Sequence, residues 1–227
     1  MRITPLLVAR PTKARAVEVT SAAADVAVDV GTPAGAFRPA VVGPLQERKG
    51  ALDRLLTEGV LVPDAAPEMF VYRVVCGGTR WIGLVCGADA HELIELATRA
   101  DPGAMPDAHA ELTQLGWQVE PAVVRCTMPD EIADQYVGDT NDRPAYHFVA
   151  GGATHSAWLV RDQSPYLQMM AHIVPTHVPR GARAVMAAHR AEVPVLAILT
   201  RDFPDDAQSQ PSLAPRCGLF VLPANCP

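Results

Sequence analysis

The chain has 227 residues, 49% hydrophobic, 19% charged and 5% aromatic, which supplies enough apolar material for a real core and excludes a low-complexity or disordered chain. A formal net charge of −6 at pH 7 gives no general attraction for a polyanion, which excludes duplex DNA as the main partner; a small ligand or a protein is expected, and a local basic pocket is compatible with this balance. No stretch approaches the ~18 apolar residues of a membrane span, and MRITPLLVARPTKARAVEV has too short an apolar run for a secretory signal, so a cytoplasmic protein with no membrane partner is expected.

In chain order, VGTPAGAFRPAVVGP (residues 30–44) reads as a loop leading into a helix, LQERKGALDRLLTEG, that Gly59 stops. EMFVYRVVCGGTRWIGLVC alternates around Gly77-Gly78 and predicts a β-hairpin. Helices follow at about 90–100 and 106–115, then a strand over 117–126 (WQVEPAVVRC), in which Pro121 points to an edge or a bulge. AYHFVAGGATHSAWLVRD predicts a second hairpin at Gly151-Gly152, and a short helix follows at SPYLQMMAHI. PRGARAVMAAHRAEVPVLAIL reads as a turn, a helix and a strand, and GLFVLP adds one more strand.

Hairpins mixed with isolated helices, without a βα repeat, predict an α+β fold: a mixed, largely antiparallel sheet with packed helices. A single domain over 1–227 is expected, the alternative being a division into 1–126 and 127–227. Cys76, Cys86, Cys126, Cys217 and Cys226 are odd in number and form no C-x-x-C pair, so free thiols are expected and no metal site is assigned. Cys86, near His91, reads as a core residue of the first hairpin rather than a nucleophile. GTPAG lacks the G-K-[ST] of a phosphate loop, G-x-G-x-x-G and G-x-S-x-G are missing, and DFPDDAQSQPS reads as a solvated loop.

The turn between Arg180 and Arg183 carries the main functional expectation. A glycine at a helix start lets backbone N–H groups approach a phosphate, the helix dipole favours an anion there, and an arginine adds a bidentate fork. Gly181 and Arg183 fit that scheme, with Arg180 reinforcing the fork and His177 just upstream. The competing reading is a solvated start to an amphipathic helix whose alanines pack on a sheet.

LLTEGVLVPDAAPEMFVYRVV, ATHSAWLVRD and LFVLPAN resemble an uncharacterised bacterial and archaeal family carrying G-x-L-x-x-D-x-x-P-x-x-Y-V-Y-R, H-E-x-T-R, H-x-x-W-x-x-x-D and an I-A-D-G-H-H-R box. Members are usually longer, so the chain is similar to their N-terminal half. The box in turn resembles the phosphate-binding box of the ParB and sulfiredoxin superfamily, which includes free serine kinases and ParB proteins that bind CTP. The resemblance implies a ParB/sulfiredoxin-like element near the C-terminus, a phosphate site at Arg180, Gly181, Arg183 and His177, and a nucleotide as the cofactor.

Against the box stands H-V-P-R-G-A-R, His177 to Arg183, which lacks the acidic residue and both box histidines. H-E-x-T-R is reduced to I-E-L-A-T-R, which keeps Glu95, Thr98 and Arg99. General acid or base catalysis contributes ~10² to 10⁴ in rate, so its loss implies a pseudoenzyme that binds a phosphorylated small molecule or nucleotide. A working serine-type kinase with Glu95 or Glu92 as the base is the second reading, and a structural or protein-interaction subunit the third. His155, Trp158 and Asp162, from the H-x-x-W-x-x-x-D match, are secondary candidates; alternation along a strand puts His155 and Trp158 on opposite faces. His172 and His177 lack the spacing of a metal pair on one helical face.

Overall fold

The computed structural model describes residues 1–16, 44–102, 108–150, 152–204, 220 and 222–223. The GTPAG loop, Gly151, the run 205–212, Cys217 and Cys226 lie outside the described residues.

The chain opens with β1 (Ile3–Thr4), β2 (Ala9–Pro11) and a 3-10 turn at Lys13–Arg15. Helix α1 (Leu45–Thr57) ends just before Gly59, where Gly59 N–H donates to Leu56 O and Val60 N–H to Leu55 O. Its Leu52 and Leu55 pack with Ala9, Val60 and Leu61, and β3 (Leu61–Pro63) pairs with β2. The expected hairpin follows as β4 (Phe70–Cys76) and β5 (Thr79–Ala88), turned by Gly77 and Gly78 at φ +56° and +87°, the left-handed pair that matches strand twist in a two-residue turn. Asp89 then caps α2 (Ala90–Ala100), accepting from the His91 N–H at 2.9 Å.

Helix α3 (Ala108–Leu115) precedes β6 (Trp117–Gln118) and β7 (Ala122–Thr127). The single strand expected over 117–126 is thus two, because Pro121 has no N–H for a ladder and breaks it. β7 is neither an edge nor bulged at Pro121: it lies inside the sheet, while Gln118 fastens β6 to the next layer by donating to Pro194 O at 2.7 Å and accepting from Leu196 N–H at 2.9 Å. Helix α4 (Asp130–Asp139) comes next, then the second hairpin, β8 (Tyr146–Ala150) and β9 (Ala153–Leu159). The chain continues through α5 (Ser164–Met169), a 3-10 turn at Met170–His172, β10 (Val174–Arg180), α6 (Ala182–Ala191) and β11 (Val195–Thr200). β12 (Leu222–Pro223) pairs with β6.

The main sheet runs β10-β7-β11-β5-β4-β9-β8, with β1 also on β5. Every pair is antiparallel except β7 with β11, so the mixed, mostly antiparallel α+β architecture read from the sequence is the observed one. Strands from both sides of residue 126 are interleaved in this one sheet, and β7 spans that residue.

Alternation gives the sheet two apolar faces. Val71, Leu84, Cys86, Val124, Leu199 and Trp158 meet the helices on one, through residues such as Leu93, Ile132, Tyr166 and Val185. Phe70, Tyr72, Trp81, Phe148 and Ile198 form the other with Phe203, Phe220 and Leu222. Phe203, within the run read as a solvated loop, is 2% exposed and stacks edge-on to Trp81 at 5.3 Å, because an aromatic ring gains more from that core than from water. Among the described residues no helix is long and apolar enough to cross a membrane.

Candidate functional site

Strand β10 delivers the chain to Gly181, which opens α6 at φ +76°. A Cβ built there would lie 2.6 Å from Ala122 Cα and 2.9 Å from Pro121 O. Left-handed backbone and contact with the start of β7 therefore both require glycine, independently of any ligand. No side chain caps the helix. Arg183 Nη2 lies 3.7 Å from Glu111 Oε2, and Glu111 Oε1 accepts from Arg48 at 2.6 Å. This Arg48-Glu111-Arg183 chain edges a cavity of about 250 Å³ with Trp117, Glu120 and Ala187. Two carboxylates balance its two guanidinium groups, and the volume falls below the ~300 Å³ at which ligand pockets usually begin.

The neighbouring candidates do not gather there. Arg180 sits opposite Val123 and is half-buried; His177 sits opposite Arg125 and is exposed. Glu95 forms a surface pair with Arg99 at 3.6 Å, and Thr98 donates its hydroxyl to Ile94 O at 2.8 Å. Glu92 faces the N-terminal ammonium at 3.5 Å. The carboxylate that reaches Arg183 is Glu111, from α3, and neither Glu95 nor Glu92.

His155 and Trp158 do lie on opposite faces. His155 is fully buried, its Nδ1 2.7 Å from the Tyr72 hydroxyl and its ring stacked on Phe148 at 5.3 Å. Asp162 accepts from Ser164 N–H at 3.0 Å, and that contact holds its carboxyl below the usual range. Cys86 is buried, and desolvation pushes its thiol far above the ordinary value; Cys126 is pushed up to about 12 by the same cause, so both are inert as thiolates.

A second, larger site lies on the helix-covered face of the sheet. Register sets Arg73 opposite Ile82 and Val75 opposite Arg80, so Arg73 and Arg80 are diagonal neighbours on one face. On the other flank Arg73 opposes Ser156, which puts Trp158 diagonal to it on that face. The Arg73 guanidinium lies over the Trp158 ring, 4.7 Å from its centroid, and the indole N–H donates to Asp142 O at 2.8 Å. Arg201, just past β11, arrives beside them and pairs with Asp130 at 2.6 Å.

These arginines border a cavity of about 400 Å³ beneath α4, walled by Ile82, Met128, Ala133 and Val137. Arg73 is half-buried, its Nε is shielded from solvent without a hydrogen-bond partner, and neither Arg73 nor Arg80 has a carboxylate partner among the described residues. An excess of positive charge over Asp202 results, in a cavity of ligand size with mostly apolar walls. The sequence reading overlooked Arg73, Arg80 and Arg201. One signal was present: in FVYRVV, Arg73 interrupts the apolar stripe of Val71 and Val75 on one face of a strand.

Fold and cavity together define an α+β protein with an arginine-lined pocket between a helix and a mixed sheet. The chain belongs to the family described as Protein of unknown function (DUF1015), which matches residues 10–190. That span includes Arg73, Trp158, Gly181 and Arg183, and its description names no activity and does not extend to the ParB and sulfiredoxin superfamily. No curated protein and no solved structure matches the chain.

Proposed function

We propose that the protein binds a phosphorylated small molecule or nucleotide in the arginine-lined cavity under α4 and does not turn it over. The observation that carries this reading is Arg73: a half-buried residue that lines the cavity, its guanidinium steadied on Trp158 and without a carboxylate partner among the described residues. A guanidinium at a cavity wall without a carboxylate partner can donate charge-assisted hydrogen bonds to an incoming oxyanion, each worth about 1.5–3 kcal/mol. Arg80 and Arg201 supply the further charge that suits a phosphate dianion. Beside the arginines, the titratable groups of the lining among the described residues are Asp202 and Tyr136, and the Tyr136 hydroxyl is already directed to Leu199 O at 3.3 Å.

The relationship to the ParB and sulfiredoxin superfamily is part of this proposal, supported by the uncapped helix that Gly181 opens beside Arg183. A working kinase centred on that turn is the second reading, favoured by the approach of Glu111 to Arg183. Both Glu111 oxygens already face guanidinium groups, which suits an ion pair better than a general base.

Thermal shift and calorimetry with inorganic phosphate, phosphoserine and nucleotides test the proposal. A ligand at 100 times its Kd stabilises the fold by about 2.7 kcal/mol. The stabilisation disappears in Arg73→Met and persists in Arg183→Ala. Loss in Arg183→Ala alone, or phosphoserine formation from serine and a nucleotide, would favour the kinase reading. Silence across the panel would favour an interaction subunit.

A further inference from the structure

We infer that the anionic group is carried on an apolar body, so that the ligand is a free alkyl or aryl phosphate rather than a sugar phosphate; this rests on the arginine-lined cavity being the binding site. Arg73, Arg80 and Ile82 line the cavity from the sheet and Arg201 and Asp202 from the end of β11, while Ala133 and Val137 line it from α4 with Met128 just before that helix. Ala133, Val137 and Thr140 fall at i, i+4 and i+7 of α4 and its cap, one row along the helix. Val137 in that row is 62% exposed, a β-branched apolar side chain left uncovered at the margin of a cationic pocket.

A ribose or polyol needs partners for each hydroxyl it buries, because unpaired polar groups are costly to desolvate. The cavity offers few. Thr140 already donates its hydroxyl to Val137 O at 2.9 Å, the Tyr136 hydroxyl is directed to Leu199 O at 3.3 Å, and Asp202 is the one carboxylate in the lining among the described residues. An alkyl or aryl group needs none of them. It covers Val137 and Met128 while its phosphate reaches Arg73 and Arg80.

The test is calorimetric titration of the wild-type chain with methyl, butyl, hexyl and phenyl phosphate and with adenosine monophosphate. Each methylene buried is worth about a fourfold gain in affinity, so the series from methyl to hexyl tightens steeply and hexyl phosphate binds better than the nucleotide. Val137→Asn, at an exposed position that leaves folding intact by circular dichroism, lowers the hexyl-to-methyl affinity ratio. A flat series, or a nucleotide that binds tighter than hexyl phosphate, overturns the apolar body while leaving anion binding in place. Failure of every phosphate to bind overturns both. Cosedimentation with phosphatidic acid vesicles that is lost in Arg73→Met would locate the phosphate in a bilayer and overturn the free-solute form.

Discussion

The Arg73 guanidinium lies over the Trp158 ring across neighbouring strands, with 4.7 Å between the guanidinium carbon and the ring centroid. The contact follows from the pairing of β4 with β9, which sets Arg73 opposite Ser156 and therefore diagonal to Trp158. Their sequence motifs, V-Y-R and H-x-x-W, lie far apart in the chain and become one structure only through that register.

If Arg73 serves a ligand, its removal does not cost the fold much. Arg73→Met gives up a cation–π contact worth about 0.5–2 kcal/mol and also removes an unpaired donor whose burial costs about 1–3 kcal/mol. The unfolding free energy from urea titration is expected to stay within about 1 kcal/mol of wild type. A loss well beyond that would make Arg73 a structural residue.

Gly181 is predicted to be intolerant for reasons of backbone and packing. Gly181→Ala combines a left-handed conformation, about 1–2 kcal/mol for a residue with a Cβ, with a Cβ at 2.6 Å from Ala122 Cα. A destabilisation of roughly 2–4 kcal/mol is expected. Gly152→Ala, at φ +77° with open space around the new Cβ, isolates the conformational part and costs only about 1–2 kcal/mol. Equal losses at the two sites would show that the contact with β7 contributes nothing.

On α6, Ala187 and Arg183 separate packing from charge. The expected packing of Ala187 on the sheet is replaced by packing on α3: it is 6% exposed and touches Leu112, because its side of the helix turns away from the strands. Ala187→Leu therefore overpacks the α3 and α6 contact by about 1–3 kcal/mol. Arg183→Ala, with a half-exposed side chain and a 3.7 Å ion pair, changes stability by less than about 0.5 kcal/mol.

Asp89 gives the fold part of its acid sensitivity. Burial pushes its carboxyl up, but the His91 N–H and the Arg2 guanidinium outweigh burial and hold it below the ordinary aspartate value. A carboxylate depressed in the folded state contributes stability above its unfolded pKa and loses it as pH falls through the folded pKa. Asp89→Ala is expected to cost about 1 kcal/mol at pH 7, as loss of a helix cap does. The gap to wild type then narrows below about pH 4 in denaturant titrations across pH. A gap independent of pH would remove charge from the explanation.

Local signals made both hairpins, α1 and α2 legible in the sequence: paired glycines between alternating apolar runs, and helices bounded by Gly59 and Asp89. The short strands β1, β2 and β3 escaped, and so did two longer elements. β10 carries Pro175 and Pro179, which argue against a strand until its place at the sheet edge, paired only with β7, spares the missing N–H groups. α4 has a weak apolar stripe, and its mark was Asp130 and Glu131 directly after Pro129. Because α4 roofs the larger cavity, overlooking it concealed the site. Arg201 reaches Arg73 only because β11 pairs with β5, a contact that no local pattern encodes.

The claim at the centre of this account is that the Arg73 guanidinium, at the cavity wall, receives an oxyanion. Proton-nitrogen correlation spectra of the arginine Nε–H groups measure this directly, with the Arg73 signal assigned by its disappearance in Arg73→Lys. Titration with hexyl phosphate is expected to shift that signal downfield and saturate, while the Arg183 signal stays in place. An unmoved Arg73 signal, with Arg183 shifting instead, would contradict the account and return the binding site to the turn at Gly181.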